Sequence, residues 1–331
     1  MTTIIPVFFT FDSNYVLAAK VAIHSMLRYA SSAYQYELYI LHTTLSESDC
    51  RNLSSAIKEF THANMNFINV SEYEKKISGL NGKAHYSKEI FYKLIAADIF
   101  PQYQRILCTD VDVVFTGDIS EAFFLYPDED FIYAGVGPTN NDGRMPKYKG
   151  KFTNEEMEIL EHEIGAGFLL LNLDSIRKHN KQQEMTDFYI NNYNRLLLPE
   201  QDCMILTCWP LVRYIPTRFV VITAFYDIDI SNFEFYKGTP EFNCSREEAA
   251  RRFQKALQEP VQIHYAGPDK PWNSIMVRKH NEWLKAMYKA GCTSEYIMSQ
   301  PKFMINKLKK YSLKRFIGKM MKKVNLLIYM I

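Results

Sequence analysis

The chain has no Cys-x-x-Cys pair. Its six cysteines, Cys50, Cys108, Cys203, Cys208, Cys244 and Cys292, stand apart, so neither a cysteine zinc site nor a disulfide framework is expected. No run approaches the ~20 apolar residues that cross a bilayer. The first residues carry neither the basic stretch nor the small-residue cleavage site of a secretory leader. These absences point to a reduced, cytoplasmic address. There is no internal repeat and no low-complexity tract. Of 331 residues only 13 are glycine and 13 proline, 47% are hydrophobic and 23% charged, which excludes collagen-like, coiled-coil and intrinsically disordered classes. A chain of this length can bury about three quarters of its unfolded surface and needs no staples.

What is present is unevenly placed. The net charge is only +2, yet residues 301–331 hold nine basic residues and no acidic one, while the rest of the chain carries 30 basic against 37 acidic. A globally basic nucleic-acid binder is therefore excluded, and no nucleic-acid partner is expected. Met304, Leu308, Tyr311, Phe316, Met320 and Val324 recur among the basic residues at roughly helical spacing. Residues 301–331 read as a basic amphipathic tail. An anionic membrane surface would attract it by about 1 kcal/mol per basic residue.

Apolar runs at 4–11, 37–42, 65–70 and 105–109 read as strands, and the segments 15–29, 46–60 and 88–100 between them as helices. Ser46 and Asp49 give the second helix a capping-box start. Further strands are expected at 131–136, 167–172 and 261–265, a long loop at 137–151 and a helix at 279–290. Strands alternating with helices argue an α/β fold with one Rossmann-like, mostly parallel central sheet flanked by helices. The expected organisation is one α/β domain over 1–275, a helix packed on it over 276–300, and the tail.

The sharpest chemical feature is Asp110-Val111-Asp112, directly after the strand Ile106-Leu107-Cys108-Thr109. Residues two apart in extended chain point the same way. Both carboxylates can thus reach one hard cation, Mn²⁺ or Mg²⁺, at the carboxyl end of a strand, where open α/β sheets bind ligands. A second feature is His264-Tyr265-Ala266-Gly267-Pro268-Asp269-Lys270-Pro271-Trp272. It could supply an imidazole ligand and a cation beside a diphosphate.

These segments, with Phe11-Asp12-Ser13-Asn14-Tyr15, Gly165-Ala166-Gly167-Phe168 and Glu200-Gln201-Asp202, stand in an order that resembles the glycosyltransferase family 8 enzymes. Those are retaining, GT-A-type galactosyl- and glucosyltransferases related to glycogenin, and the likeness runs from about residue 4 to 272. The resemblance implies a UDP-sugar donor, UDP-galactose or UDP-glucose, and a glycan or glycolipid acceptor of the lipopolysaccharide type. It implies Asp110, Asp112 and His264 as Mn²⁺ ligands. Asp12 and Asn14 would meet the uridine, and Lys270 with Gly267 the diphosphate. Lys93, Asp110, Glu200 and Gln201 would surround the donor sugar, with Gln201 beneath its anomeric carbon and Glu200 and Gln201 as the catalytic pair. Family members with basic, aromatic tails favour peripheral attachment to the inner face of the membrane.

Three positions depart from the family pattern. Gly165 stands where Asn is common, Lys93 where Arg is common, and Glu200 where Asp is usual. All three fall in the sugar pocket, whereas metal and nucleotide positions are intact. Two other readings remain. A haloacid-dehalogenase-type phosphatase would use Asp110 as nucleophile, but leaves the 264–272 run unexplained. A non-catalytic sugar-nucleotide-binding protein on the same fold would tolerate Gly165. Acceptor contacts are expected from the loops 137–151 and 225–242.

Overall fold

The computed structural model describes residues 2–80, 88–140 and 145–310. A seven-stranded sheet is built from β1 (Ile4–Thr10), β2 (Gln35–His42), β3 (Ala63–Asn69), β4 (Arg105–Thr109), β6 (Tyr133–Val136), β7 (Phe168–Asn172) and β8 (Val212–Ile215), in the order β3-β2-β1-β4-β7-β6-β8. β1 pairs in parallel with both β2 and β4, β2 with β3, and β6 with β8. Only β7 runs the other way, antiparallel to β4 and β6. The sheet is therefore mostly parallel, as the strand-helix alternation requires.

The central strands β1, β4 and β7 are buried along most of their length because both faces are covered. Ile5, Val7 and Phe9 of β1 face one apolar layer with Ala19, Ile23 and Met26 of the helix Val16–Tyr29, while Phe8 faces the other. β4 and β7 split the same way. Leu107, Phe168 and Leu170 join the first layer, and Ile106, Cys108, Leu169 and Leu171 join the second with Met185, Tyr189 and Met204.

A second, three-stranded sheet was not foreseen as such. It consists of β5 (Val113–Phe115), β9 (Val221–Ile222) and β10 (Gln262–His264), with β10 in the middle. The strand expected at 261–265 lies here rather than in the main sheet. β5 was hidden because it is short and follows the Asp-x-Asp triplet directly.

Two further expectations need correction. Segment 88–100 is not one α-helix: Lys88–Ile95 is a 3₁₀-helix and only Ala96–Ile99 is α-helical. Glu89, Phe91, Tyr92, Lys93, Leu94 and Ile95 are all buried, so there is no solvent face of the kind that makes an α-helix amphipathic, and packing sets the tighter winding. Segment 137–151 is not loop throughout, since Met145–Tyr148 forms a helical turn. The helix expected at 46–60 is Glu47–Ser55, and its capping box is present, with Ser46 and Asp49 bonded reciprocally.

Behind the small sheet, Trp272, Trp283 and Tyr265 pack with Ala18, Val21 and Val114. Lys20 is buried and its Nζ lies 2.5 Å from Glu295 Oε1, which ties the helix Thr293–Lys310 to the first helix. Thr293–Lys310 runs through Pro301 without a break. Of the tail expected over 301–331, residues 301–310 continue this helix, and 311–331 lie outside the described residues.

Leu170 is fully buried on the one reversed strand. Leu170→Ala should lower unfolding stability by roughly 2–5 kcal/mol, read as a fall in the urea midpoint with the slope unchanged. A loss below about 0.5 kcal/mol would mean that the two layers are not held apart at this strand.

Candidate active site

The site forms where the two sheets meet. Asp110 leaves the end of β4, and its backbone N–H donates to Gly167 O at 3.1 Å. Val111 is buried in the apolar layer, which turns Asp110 and Asp112 to the opposite side together. β10 then runs antiparallel to β5 with His264 opposite Val113, and Tyr265 N–H donates to Asp112 O at 2.9 Å. The imidazole is thereby set beside both carboxylates. His264 Nε2 lies 3.2 Å from Asp112 Oδ1 and 3.8 Å from Asp110 Oδ2. One ligand atom from each of the three residues falls within 4.8 Å of the others.

The backbone here is anchored from below. Gln262 is fully buried and its Nε2 donates to Thr109 Oγ1 at 2.7 Å. Thr109 Oγ1 in turn donates to the carbonyls of Asp110 and Gly167. A Cβ at Gly167 would lie 2.7 Å from His264 Nδ1, so glycine is required to leave the ring its place.

Two lysines balance the carboxylates. Lys93 is buried; its Nζ donates to Asp110 Oδ1 at 2.7 Å and to Ala166 O at 2.9 Å, and stands 4.0 Å from Glu200 Oε1. Burial works to lower its pKa, but Asp110, Cys108 and Glu200 outweigh that and raise it above the ordinary lysine value. Lys270 Nζ donates to Asp112 Oδ2 at 2.5 Å and to Tyr265 O at 2.8 Å. Burial would raise the pKa of Asp112, yet His264 and Lys270 hold it well below the usual carboxylate range. Burial would lower that of His264, and Asp112 with Asp110 raises it instead. The donor set, two carboxylates and an imidazole, could hold a divalent cation, and Gly167 leaves the imidazole room to be one of its ligands.

Glu200 and Gln201 open the helix Pro199–Cys208. Gln201 Oε1 accepts from Ala166 N–H at 3.0 Å, which fixes the amide with its NH₂ turned away from that contact. Glu200 is buried and its Oε2 has no hydrogen-bond partner. Burial raises its pKa, against the pull of Lys93. Asp202, quoted in the same motif, is structural: it accepts from the N–H groups of Leu197 and Leu198 and from Tyr148 O–H at 2.5 Å.

Asp12 caps the turn Ser13–Tyr15. Asn14 donates to it from its backbone N–H at 2.8 Å and from its side chain at 3.3 Å. Neither residue touches the Asp110, Asp112 and His264 cluster. The link is Tyr15, a residue to which the sequence reading gave no role. Its hydroxyl is pushed up to about 12, first by burial and then by Asp112, Asp12 and Asp110, and its ring packs edge-on against Trp272 at 5.7 Å. The signal in sequence was its place next to Asn14 in a quoted motif. Gly267 adopts a left-handed φ of 101° between Tyr265 and Lys270, which explains glycine there.

The geometry predicts that Gly167→Ala folds normally but weakens Mn²⁺ binding by at least about tenfold, because His264 is displaced. Calorimetric titration with Mn²⁺ reads this directly, and unchanged affinity would remove His264 from the ligand set.

Comparison with known proteins bears on this site. The General stress protein A of Bacillus subtilis (strain 168) is 20% identical over 280 residues, covering 80% of this chain and 85% of its own. Among solved structures, the WbbM bifunctional glycosyltransferase matches with a TM-score of 0.71 at 20% identity, over 91% of this chain and 52% of that one. This chain thus spans about half the length of WbbM. The galactosyltransferase LgtC, solved with donor and acceptor sugar analogues, matches with a TM-score of 0.66 at 17% identity, over 86% of this chain and 96% of its own. The shared architecture is the expected GT-A type, a mostly parallel sheet flanked by helices. A sequence profile of glycosyl transferase family 8 matches residues 6–276. That span runs from the first strand through β10 to beyond Trp272, and the chain belongs to this family.

Proposed function

We propose that the chain is a Mn²⁺-dependent, retaining hexosyltransferase that moves galactose or glucose from its UDP-sugar to a glycan or glycolipid acceptor, in lipopolysaccharide or other cell-surface polysaccharide synthesis. The observation that carries this reading is the convergence of Asp110, Asp112 and His264 with Lys270 on one side and Lys93, Glu200 and Gln201 on the other. Asp110, Asp112 and His264 would hold the divalent cation, which supplies positive charge to the diphosphate as it leaves. Lys270, already paired to Asp112, adds a second positive charge for the same phosphates. Asp12 and Asn14 on the exposed turn meet the uridine, with the Tyr15 ring beside them. Lys93 and Glu200 orient the sugar hydroxyls, and the unpartnered Glu200 Oε2 is an acceptor ready for one of them.

The chemistry follows from what stands at Gln201. An amide is a poor nucleophile, so a covalent sugar intermediate on this residue is disfavoured. In the front-face route the bond from the anomeric carbon to the diphosphate oxygen breaks. The acceptor oxygen bonds to the same face, and its proton passes to the departing phosphate. Gln201 Oε1 is held by the Ala166 N–H, so this side chain would turn its NH₂ toward the sugar and position the donor through the sugar's oxygens rather than act at the anomeric carbon. Among the described residues no helix is long and apolar enough to cross a membrane, and we place attachment to the cytoplasmic face of the membrane in residues 301–331.

Thermal unfolding tests the donor. UDP at about 100 times its dissociation constant should stabilise the chain by about 2.7 kcal/mol, only when Mn²⁺ is present, and one UDP-sugar should exceed UDP. No shift with any nucleotide would overturn the transferase and sugar-nucleotide-binding readings alike, and phosphate release from a phosphomonoester would select the phosphatase. Gln201→Ala should cut kcat for UDP release about 10²-fold. A sugar adduct trapped on Gln201→Glu, seen by mass spectrometry, would overturn the front-face route.

A further inference from the structure

Of the glycines around the site, three are there because nothing larger fits. A Cβ at Gly135 would lie 2.5 Å from Ile164, at Gly137 2.5 Å from the Tyr214 ring, and at Gly167 2.7 Å from His264. Gly165 differs. A Cβ there would meet only Val136 O, at an ordinary 3.8 Å. Nor does Gly165 fall among the residues with a left-handed φ. Neither crowding nor backbone strain calls for glycine at this position, so its effect is to leave space.

That space adjoins the sugar-handling residues. Gly165 is half-exposed and precedes Ala166, whose N–H is held by Gln201 and whose carbonyl is held by Lys93. Its own N–H is bonded to Val136 O at 3.0 Å, and that carbonyl keeps a second lone pair. The flanking Ile164, Ala166 and Val136 are apolar and buried. Glu200 Oε2 is a second open acceptor, and the Gln201 NH₂, on the side away from Ala166, is a donor. An apolar-flanked gap with both kinds of partner beside it suits a substituent that carries an N–H, a carbonyl and a methyl group. A hexose hydroxyl offers neither the carbonyl nor the methyl group.

We propose that the donor is the UDP derivative of an acetamido hexose, an N-acetylhexosamine, whose acetamido group occupies the space left by Gly165. This rests on the transferase reading above and revises its donor from the parent hexose to the acetamido derivative. The test is titration of the full chain with Mn²⁺ and, separately, UDP, UDP-galactose, UDP-glucose, UDP-N-acetylgalactosamine and UDP-N-acetylglucosamine. One acetamido nucleotide should bind at least tenfold more tightly than its parent hexose. Gly165→Asn, which puts a carboxamide into the gap, should reverse that ratio by at least tenfold, and Gly165→Ala should fall between. Parent hexoses bound as tightly as the acetamido sugars, or a ratio unmoved in both variants, overturns the proposal while leaving UDP binding and the transferase reading intact. Absence of UDP binding would instead sink both. If a thermal melt shows that a variant fails to fold, the wild-type ratio alone decides.

Discussion

Three residue pairs hold the site together. The antiparallel register of Gln262, Ile263 and His264 with Phe115, Val114 and Val113 joins parts of the chain that are far apart in sequence. It sets an imidazole against two carboxylates that local structure alone could only pair with each other. The entropy of closing so long a loop grows only slowly with its length, and the closure is secured where water is absent. Gln262 reaches the end of β4 through Thr109, and Tyr265 and Trp272 fill the apolar space behind. The metal geometry is thus a by-product of sheet register, and register is fixed because one face of this small sheet is buried.

Charge compensation is the second constraint. Asp110 is matched by Lys93, which is buried, and Asp112 by Lys270, which is largely buried. Removing one partner of such a pair would leave an uncompensated buried charge, which costs far more than the pair contributes. Lys93 reaches Asp110 from a 3₁₀ segment with hardly any exposed side chain. The tight winding and the buried lysine go together: Lys88 at the segment's start is exposed and pairs with Glu74, whereas Lys93 lies within the packed part and points inward.

Much of this was legible in sequence, for identifiable reasons. β1 and β4 announced themselves as unbroken apolar runs because helices cover both faces of the sheet. Asp110 and Asp112 were readable as a pair because Val111 between them is apolar and goes to the core. The reversed direction of β7 was not readable, since a buried strand looks alike in either sense. β5 is too short to show a period beside the Asp-x-Asp triplet. The helices Asn154–Leu160 and Arg246–Gln258 did carry start signals, in the Thr153 and Glu156 capping box and the Ser245 cap, which the loop-like composition around them masked. Asp202 illustrates the limit of motif reading. It sits beside Glu200 and Gln201 in sequence, yet its oxygens are consumed in starting a helix.

The hydrogen bond from Ala166 to Gln201 reaches further than its size suggests. It orients a group that could otherwise present either end, so the position beneath the sugar offers donors rather than a lone pair. On the front-face path proposed above, the hydrogen that bond formation sets free therefore travels out on the nucleotide product. The protein then closes each turnover in the ionisation state in which it opened it, and no resetting step with solvent separates one transfer from the next.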